Sequence, residues 1–544
     1  MKRLFFALLL SPLLARAEIK LPAFIADHMV LQRDVAVPVW GWAAAGEDVS
    51  VSFAGQTKVT QANEQGKWLV KLDPLATSAE SREMKIGSRV IKDVLVGEVW
   101  LASGQSNMGF PLSSAHNADQ ALAAAGDPLL RFFTVQNATA AEPQNDLRGR
   151  WDLSDPNTAK AFSAVAYFFA RDLRAKLGVP VAILHSSWGG TPAQAWLSMD
   201  ALQEAPAFEN YAKSYEAALN KHREVLAHPE KMEAYRKDLA QWQKEVAPAF
   251  NEAMKTWNAG PKTSPKPMPA RPEPANPDPM DIPSPSSRPG TPSVIFNAKI
   301  APLIGYAMRG SLWYQGEANA GNGFEYRTLL PRLIGDWRKR WGQGDFPFLI
   351  VQLAAWDMDK NPAPLHQYPW LREAQAMTAK AVPNTALAVA IDVGNPADVH
   401  PKGKEPVGQR LALAARKLAY GETQLVASGP VFREAKAEGS NMRVTFTEIG
   451  SGLTLGQAPW RAEGDTPWPT DKLVGFTLAG EDQEWHDAEA KIEGDSVIVS
   501  SPAVSKPVAV RYAWANSPRC NLYNREALPA VPFRSDDWPM PRKK

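Results

Sequence analysis

Four short loops hold the residue types that ester or amide hydrolysis needs. The first is Ser103-Gly104-Gln105-Ser106-Asn107-Met108. Gly104 permits a tight turn from which Ser106 can project as a nucleophile. Met108 stands where a G-x-S-x-G elbow has its second glycine, so the motif is a different one. Taken alone, a serine in such a turn caps a helix or a turn equally well. The second loop is His185-Ser186-Ser187-Trp188-Gly189-Gly190-Thr191. Gly189 and Gly190 let backbone N–H groups approach a ligand closely, where one can stabilise an oxyanion. The third, Trp313-Tyr314-Gln315-Gly316-Glu317-Ala318-Asn319, offers Asn319 as a side-chain N–H donor and Glu317 as an orienting or helix-capping carboxylate. The fourth runs from Asp392 to Pro401 and contains Asp398 and His400. Pro401 biases His400 toward extended backbone. Residues two apart on an extended segment face the same side, so Asp398 is expected beside the His400 ring. A carboxylate there fixes the imidazole tautomer and stabilises the imidazolium.

Seven other histidines compete with His400. His116 and His366 have no acid within two residues. His222 and His228 each have a glutamate two residues on, but they lie in a helical stretch, where residues two apart do not face each other. His28 and His486 adjoin acids in strand-rich segments away from these loops. His185 is the strongest rival, since it also ends an apolar run. Only His400 combines such a loop with an acid on the same side. There is no H-E-x-x-H, no Cys/His cluster and no G-x-x-x-x-G-K-[ST], so neither metal, nucleotide nor other cofactor is implied.

Each loop follows an apolar run or lies near one. The runs are Val94–Ala102, Val179–Leu184, Gly310–Tyr314, Phe348–Leu353 and Ala386–Ile391, with helical stretches between them. Unbroken apolar runs are expected of strands buried on both faces of a parallel sheet. The pattern predicts an α/β domain over residues 94–426, a doubly wound parallel sheet of about five strands. In such sheets ligands bind beyond the carboxyl ends of the strands, which is where the four loops fall. Two segments interrupt the domain. Residues 201–258 are helical in period, with Phe208, Tyr211, Tyr215 and Leu219 on one face, Tyr235, Leu239, Trp242 and Val246 on another, and Pro229 dividing two helices. Residues 260–292 hold a dozen prolines among polar residues and read as an extended linker. Alternation in residues 18–93 (Val35–Trp40, Val49–Phe53, Trp68–Leu72) and 427–544 (Met442–Phe446, Leu473–Leu478, Ser496–Val499, Val508–Trp514) predicts a small β-sandwich-like domain at each end. Pro38 suggests an edge strand.

Composition bounds the partners. The chain has 544 residues, with 60 Lys+Arg against 58 Asp+Glu and a formal charge of +2. That balance gives no basic field for nucleic acid. A single cysteine, Cys520, excludes an internal disulfide framework. Nineteen tryptophans suit either sugar faces or core packing. Residues 1–17 read as a signal peptide: a basic start, an apolar run from Leu4 to Leu14 and the small-x-small site Ala15-Arg16-Ala17. The run is too short to span a bilayer. An exported protein, periplasmic or extracellular and without a membrane span, is expected.

Together and in order, these segments resemble the sialate O-acetylesterase family of the SGNH hydrolases. The resemblance starts at Ala26-Asp27-His28-Met29-Val30-Leu31-Gln32-Arg33 and includes Gly104–Met108, Gly189-Gly190-Thr191 and Trp313–Asn319. It continues through Asp336-Trp337-Arg338, Phe348–Leu353 and Asp398-Val399-His400-Pro401, and ends at Val510–Trp514 and Cys520–Asn524. It implies an SGNH-type serine esterase that deacetylates 9-O-acetyl sialic acids. It further implies Ser106 as nucleophile, His400 as base and Asp398 as orienting acid. The oxyanion hole would comprise Ser106, Gly189, Gly190 and Asn319, with Gln105, Gln315 and Glu317 in support. The wider pattern places the acid three residues before the histidine, where this chain has Ala397, so Asp392 or a backbone carbonyl competes with Asp398. Ala318 replaces the usual serine between Glu317 and Asn319. Acetylated xylan is an alternative substrate. A glycosidase pairing Glu317 with Asp398, or a carbohydrate-binding protein without catalysis, are readings of other classes.

Overall fold

The computed structural model describes residues 18–259, 288–357, 367–462 and 467–539. The expected signal peptide and linker residues 260–287 lie outside them, as does His366. The central sheet has seven strands: β1 (Arg89–Gly104), β2 (Asp127–Val135), β3 (Gly149–Ser154), β4 (Val181–Ser187), β5 (Gly310–Tyr314), β6 (Phe348–Val351) and β7 (Thr385–Ala388). Their order is β7-β6-β5-β1-β4-β2-β3. All neighbours are parallel except the antiparallel edge pair β2–β3. The sheet is therefore mixed and larger than the five parallel strands expected. The five apolar runs form β1, β4, β5, β6 and β7. The additions are β2, whose run is broken by the buried Arg131, and β3, whose half-exposed sequence has no apolar run.

Helices cover both faces. Side chains alternate along each strand, so Trp100 and Ala102 meet α2 (Ala164–Leu177) and α5 (Lys404–Ala419) on one face. Leu101, Trp313 and Ile350 meet α3 (Gly323–Trp341) and α4 (Tyr368–Ala381) on the other. Local sequence sets the helix limits. Ser163 caps α2 by accepting from the Ala166 N–H at 3.1 Å, and Gly178 ends it in the left-handed conformation. The tryptophans serve packing to a large extent: Trp196, Trp313 and Trp337 stack edge to face in the core. In the insertion, Pro229 opens a second helix, and Phe208 and Tyr215 are buried against the core. The described side chains do not include Tyr235.

The flanking segments form largely antiparallel sheets, with Val30–Gln32 added parallel to Leu95–Gly97. Residues 48–61 and 78–86 pair with one another and onto the first half of β1, whose second half lies in the central sheet. Val37–Trp42, which contains Pro38, pairs with Lys67–Leu72, and Trp42 is also bridged to Lys20. The carboxyl-terminal part has two four-stranded sheets around a common apolar core.

Candidate active site

The central strand β1 is the switch point of the sheet, because the chain leaves it toward β4 and β2 on one side and toward β5, β6 and β7 on the other. At its carboxyl end Gly104 is paired with both Ser187 of β4 and Tyr314 of β5. Gly104 has φ +134°, and a Cβ there would lie 2.1 Å from the Tyr314 carbonyl oxygen, so only glycine fits. Gln105 N–H then donates to Tyr314 at 2.9 Å, and Trp188 N–H donates to Gly104 at 3.0 Å. These bonds hold the one-turn helix α1 (Ser106–Gly109) at the sheet end.

Ser106 Oγ lies 2.8 Å from His400 Nε2. The two residues are 294 positions apart, and both line a cleft of about 690 Å³ together with Gly189 and Asp398. Asp398 reaches the histidine through a turn, where an extended segment was expected. Its Oδ1 accepts the His400 backbone N–H at 2.9 Å and stands 3.6 Å from His400 Nδ1. Asn395 builds the turn by accepting from Ala397 N–H at 2.9 Å. Asp392, the competing acid, is not available to His400. It is buried in a two-pronged pair with Arg410, both bonds 2.6 Å, and accepts from Tyr523 Oη at 2.8 Å.

Of the proposed oxyanion donors, Gly189 stands against the nucleophile: a Cβ there would lie 3.2 Å from Ser106 Cβ. Gly190 follows with φ +73°. Asn319 is buried, accepts from Ala193 N–H at 2.8 Å and Gln315 Nε2 at 2.7 Å, and donates to Gln194 at 3.1 Å. It thereby ties the loop after β5 to the segment after Gly190. Gln315 also donates to the Thr191 carbonyl, and Gln105 Oε1 accepts from Gly316 and Ala318 N–H.

Glu317 is half-buried beneath the site with its Oε2 enclosed, and burial of the carboxylate raises its pKa. It does not line the cleft with Asp398, which removes the basis for a glycosidase pair. Its partner is Asn107, whose Nδ2 donates to Glu317 Oε1 at 2.5 Å and to the Val399 carbonyl at 2.9 Å. Lys404 Nζ donates to Asn107 Oδ1, and burial lowers that lysine's pKa to about 7. Asn107, the residue after the nucleophile, is thus bonded to the residue before His400. Sequence reasoning passed over Asn107 and Lys404, although each lies within four residues of a candidate. His185 also lines the cleft, but its Nε2 is paired with Ser187 Oγ at 2.8 Å. Burial, with Lys299 nearby, lowers its pKa to about 3, so it stays neutral.

Residues 294–417 match the family described as carbohydrate esterase, sialic acid-specific acetylesterase. The sialate O-acetylesterase of Rattus norvegicus is 29% identical over 559 residues, covering 94% of this chain and 93% of that protein. The Homo sapiens protein of the same name is 27% identical, covering 94% and 91%. A crystal structure of a carbohydrate acetylesterase from Xanthomonas citri is 36% identical, covers 96% of this chain and 100% of its own, and superposes with a TM-score of 0.75. With a serine and a histidine paired at the carboxyl end of a central sheet, and likeness over nearly its whole length, the chain belongs to the sialate O-acetylesterase family.

Proposed function

We propose that the chain is an SGNH-type serine esterase that removes O-acetyl groups from sialic acids. The observation that carries this reading is the 2.8 Å contact between Ser106 Oγ and His400 Nε2 in an open cleft. The acetyl carbonyl carbon sits over Ser106. His400 Nε2 takes the hydroxyl proton as Oγ bonds to that carbon, and the carbonyl oxygen becomes an oxyanion. Backbone N–H groups of Ser106 and Gly189 meet it, with Gly190 and the second Nδ2 proton of Asn319 as further donors. Collapse breaks the bond to the sugar oxygen, which leaves with the proton from His400. Water, deprotonated by His400, then releases acetate and restores Ser106. Asp398 holds the His400 loop and stabilises the imidazolium. Residues 1–17 support export of the protein.

The cleft also favours a second substrate. Its described lining includes no lysine or arginine side chain but does include Asp398, so a sialate carboxylate meets no cation there. Acetyl esters of neutral sugars such as acetylated xylan suit that lining.

The deciding experiment is acetate release from 9-O-acetyl sialic acid and from acetylated xylan by wild type and Ser106→Ala. Release by wild type alone supports the mechanism, and the better substrate identifies the sugar class. Equal release by both proteins would remove Ser106 as nucleophile. Folded wild type that releases acetate from neither would overturn the reading.

A further inference from the structure

One wall of the cleft takes no part in the steps above. It consists of Gln136 and Asn137, which follow β2, and of Ser187 and Trp188 at the end of β4. Behind it lies Lys299, with no exposed surface. Lys299 Nζ donates to Asn137 Oδ1 at 2.6 Å and to the Ser187 carbonyl at 2.9 Å. It stands 5.6 Å from the centre of the Trp188 ring and 5.9 Å from that of Trp196. Both oxygens are neutral, so this is not an ion pair, and burial alone lowers the ammonium pKa to about 7. A buried ammonium without a counter-charge is costly, and nothing in the packing of the sheet calls for one.

What the ammonium does is set the direction of one amide. It can only donate, so Asn137 must turn Oδ1 toward it. Asn137 is exposed, and among the described residues its Nδ2 protons have no protein partner at the cleft. Trp188 adds a half-buried aromatic ring beside them. Apolar surface with a few fixed donors is the usual make-up of a small-molecule subsite. The wall is also near the chemistry. Gly189 abuts Ser106 and is two residues from Ser187, at most about 7 Å of chain.

We propose that this wall is the subsite for the acetyl-bearing sugar ring, with Asn137 Nδ2 donating to a substituent oxygen of that ring. Lys299 is then a positioning residue that acts through Asn137. The proposal rests on the esterase reading and adds where the sugar lies. An ester without a sugar does not reach the wall, whereas a site built to hydrogen-bond a substrate discriminates strongly when the donor is lost.

The test compares kcat/KM on 9-O-acetyl-N-acetylneuraminic acid and xylose tetraacetate with that on 4-nitrophenyl acetate. The proteins are wild type, Asn137→Ala, Asn137→Asp, Lys299→Met and the Asn137→Ala/Lys299→Met double variant. In Asn137→Ala the ratio of sugar ester to nitrophenyl ester falls at least tenfold on one or both sugars, mainly through KM. Lys299→Met reproduces the fall, and the double variant is no worse than Asn137→Ala alone. A ratio within threefold of wild type on both sugars, in Asn137→Ala and Asn137→Asp alike, would overturn the subsite. Additive effects in the double variant would overturn the positioning role of Lys299. If Lys299→Met does not fold, the two Asn137 variants decide. Wild type inactive on all three esters would instead overturn the esterase reading, and this proposal with it.

Discussion

Removing Ser106 or His400 singly should abolish most of the rate. Ser106→Ala and His400→Ala are each expected to lose roughly 10⁴–10⁶ in kcat on an acetyl ester, measured by acetate release. Asp398→Asn should lose less, about 10²-fold, because its carboxylate stands 3.6 Å from Nδ1 and bonds the backbone of the same loop. Asn107→Ala should cost both stability and rate. It leaves Lys404 and Glu317 buried without the amide that joins them, at about 1–3 kcal/mol for each unpaired group, read by urea denaturation. His185 makes an acid-sensitivity prediction. Its pKa is near 3 when folded against 6.5 for the free side chain, so between those values the unfolded chain binds the extra proton. Stability therefore falls as pH drops from 6.5 toward 3, by up to about 1.4 kcal/mol per pH unit from this group. His185→Gln should flatten that slope in thermal melts across the window. A serine and a histidine at strand ends were legible in the chain because glycine, proline and acid neighbours leave local traces. Asn107 and Lys404 left none: their meaning lies in a contact across 297 residues.

At the scale of elements, strands buried on both faces announced themselves as apolar runs, and all five runs form strands. The strand β2 hid because Arg131 interrupts it; that side chain is buried and paired with Asp93 at 2.7 Å. The edge strand β3 hid because it is half solvated. The segment that carries Asp398 is a turn and not extended, since Asn395 and Asp398 bond their own backbone two residues on. The acid Asp392 has a structural task that no local pattern reveals. It joins the turn Ile391–Val393 to α5 through Arg410 and to the carboxyl-terminal sheets through Tyr523. Arg410→Met should cost about 3–5 kcal/mol in denaturant unfolding, because it strands a buried carboxylate. Asp392→Asn should leave the catalytic pH profile in place, and a lost profile would mean that Asp392 does act on His400.

Across the whole molecule, one buried carboxylate gathers three distant parts of the chain. Glu98 of β1 accepts from Gln32 at 3.1 Å, from Arg33, from Arg309 at 2.8 Å and from Tyr420 at 3.0 Å. Burial opposes its charge, but the two arginines and Gln32 hold its pKa below the ordinary value. Its stabilising effect is therefore present above about pH 4.5 and lost as pH falls through the folded pKa. Glu98→Gln should lower stability by about 3–5 kcal/mol at neutral pH and weaken the acid dependence of unfolding. The motif residues Gln32 and Arg33 find their role here, outside the lining of the cleft that holds Ser106. The strand that holds Glu98 also runs unbroken from the amino-terminal sheet to Gly104, two residues before the nucleophile. Residue 93 lies inside this strand, at a left-handed position with φ +54°. Engineers who treat the amino-terminal sheet as a detachable module will find that it is not one. Cutting at 93 would bare a strand edge and free the strand that aims Ser106, so catalytic power and solubility should be lost in the same stroke.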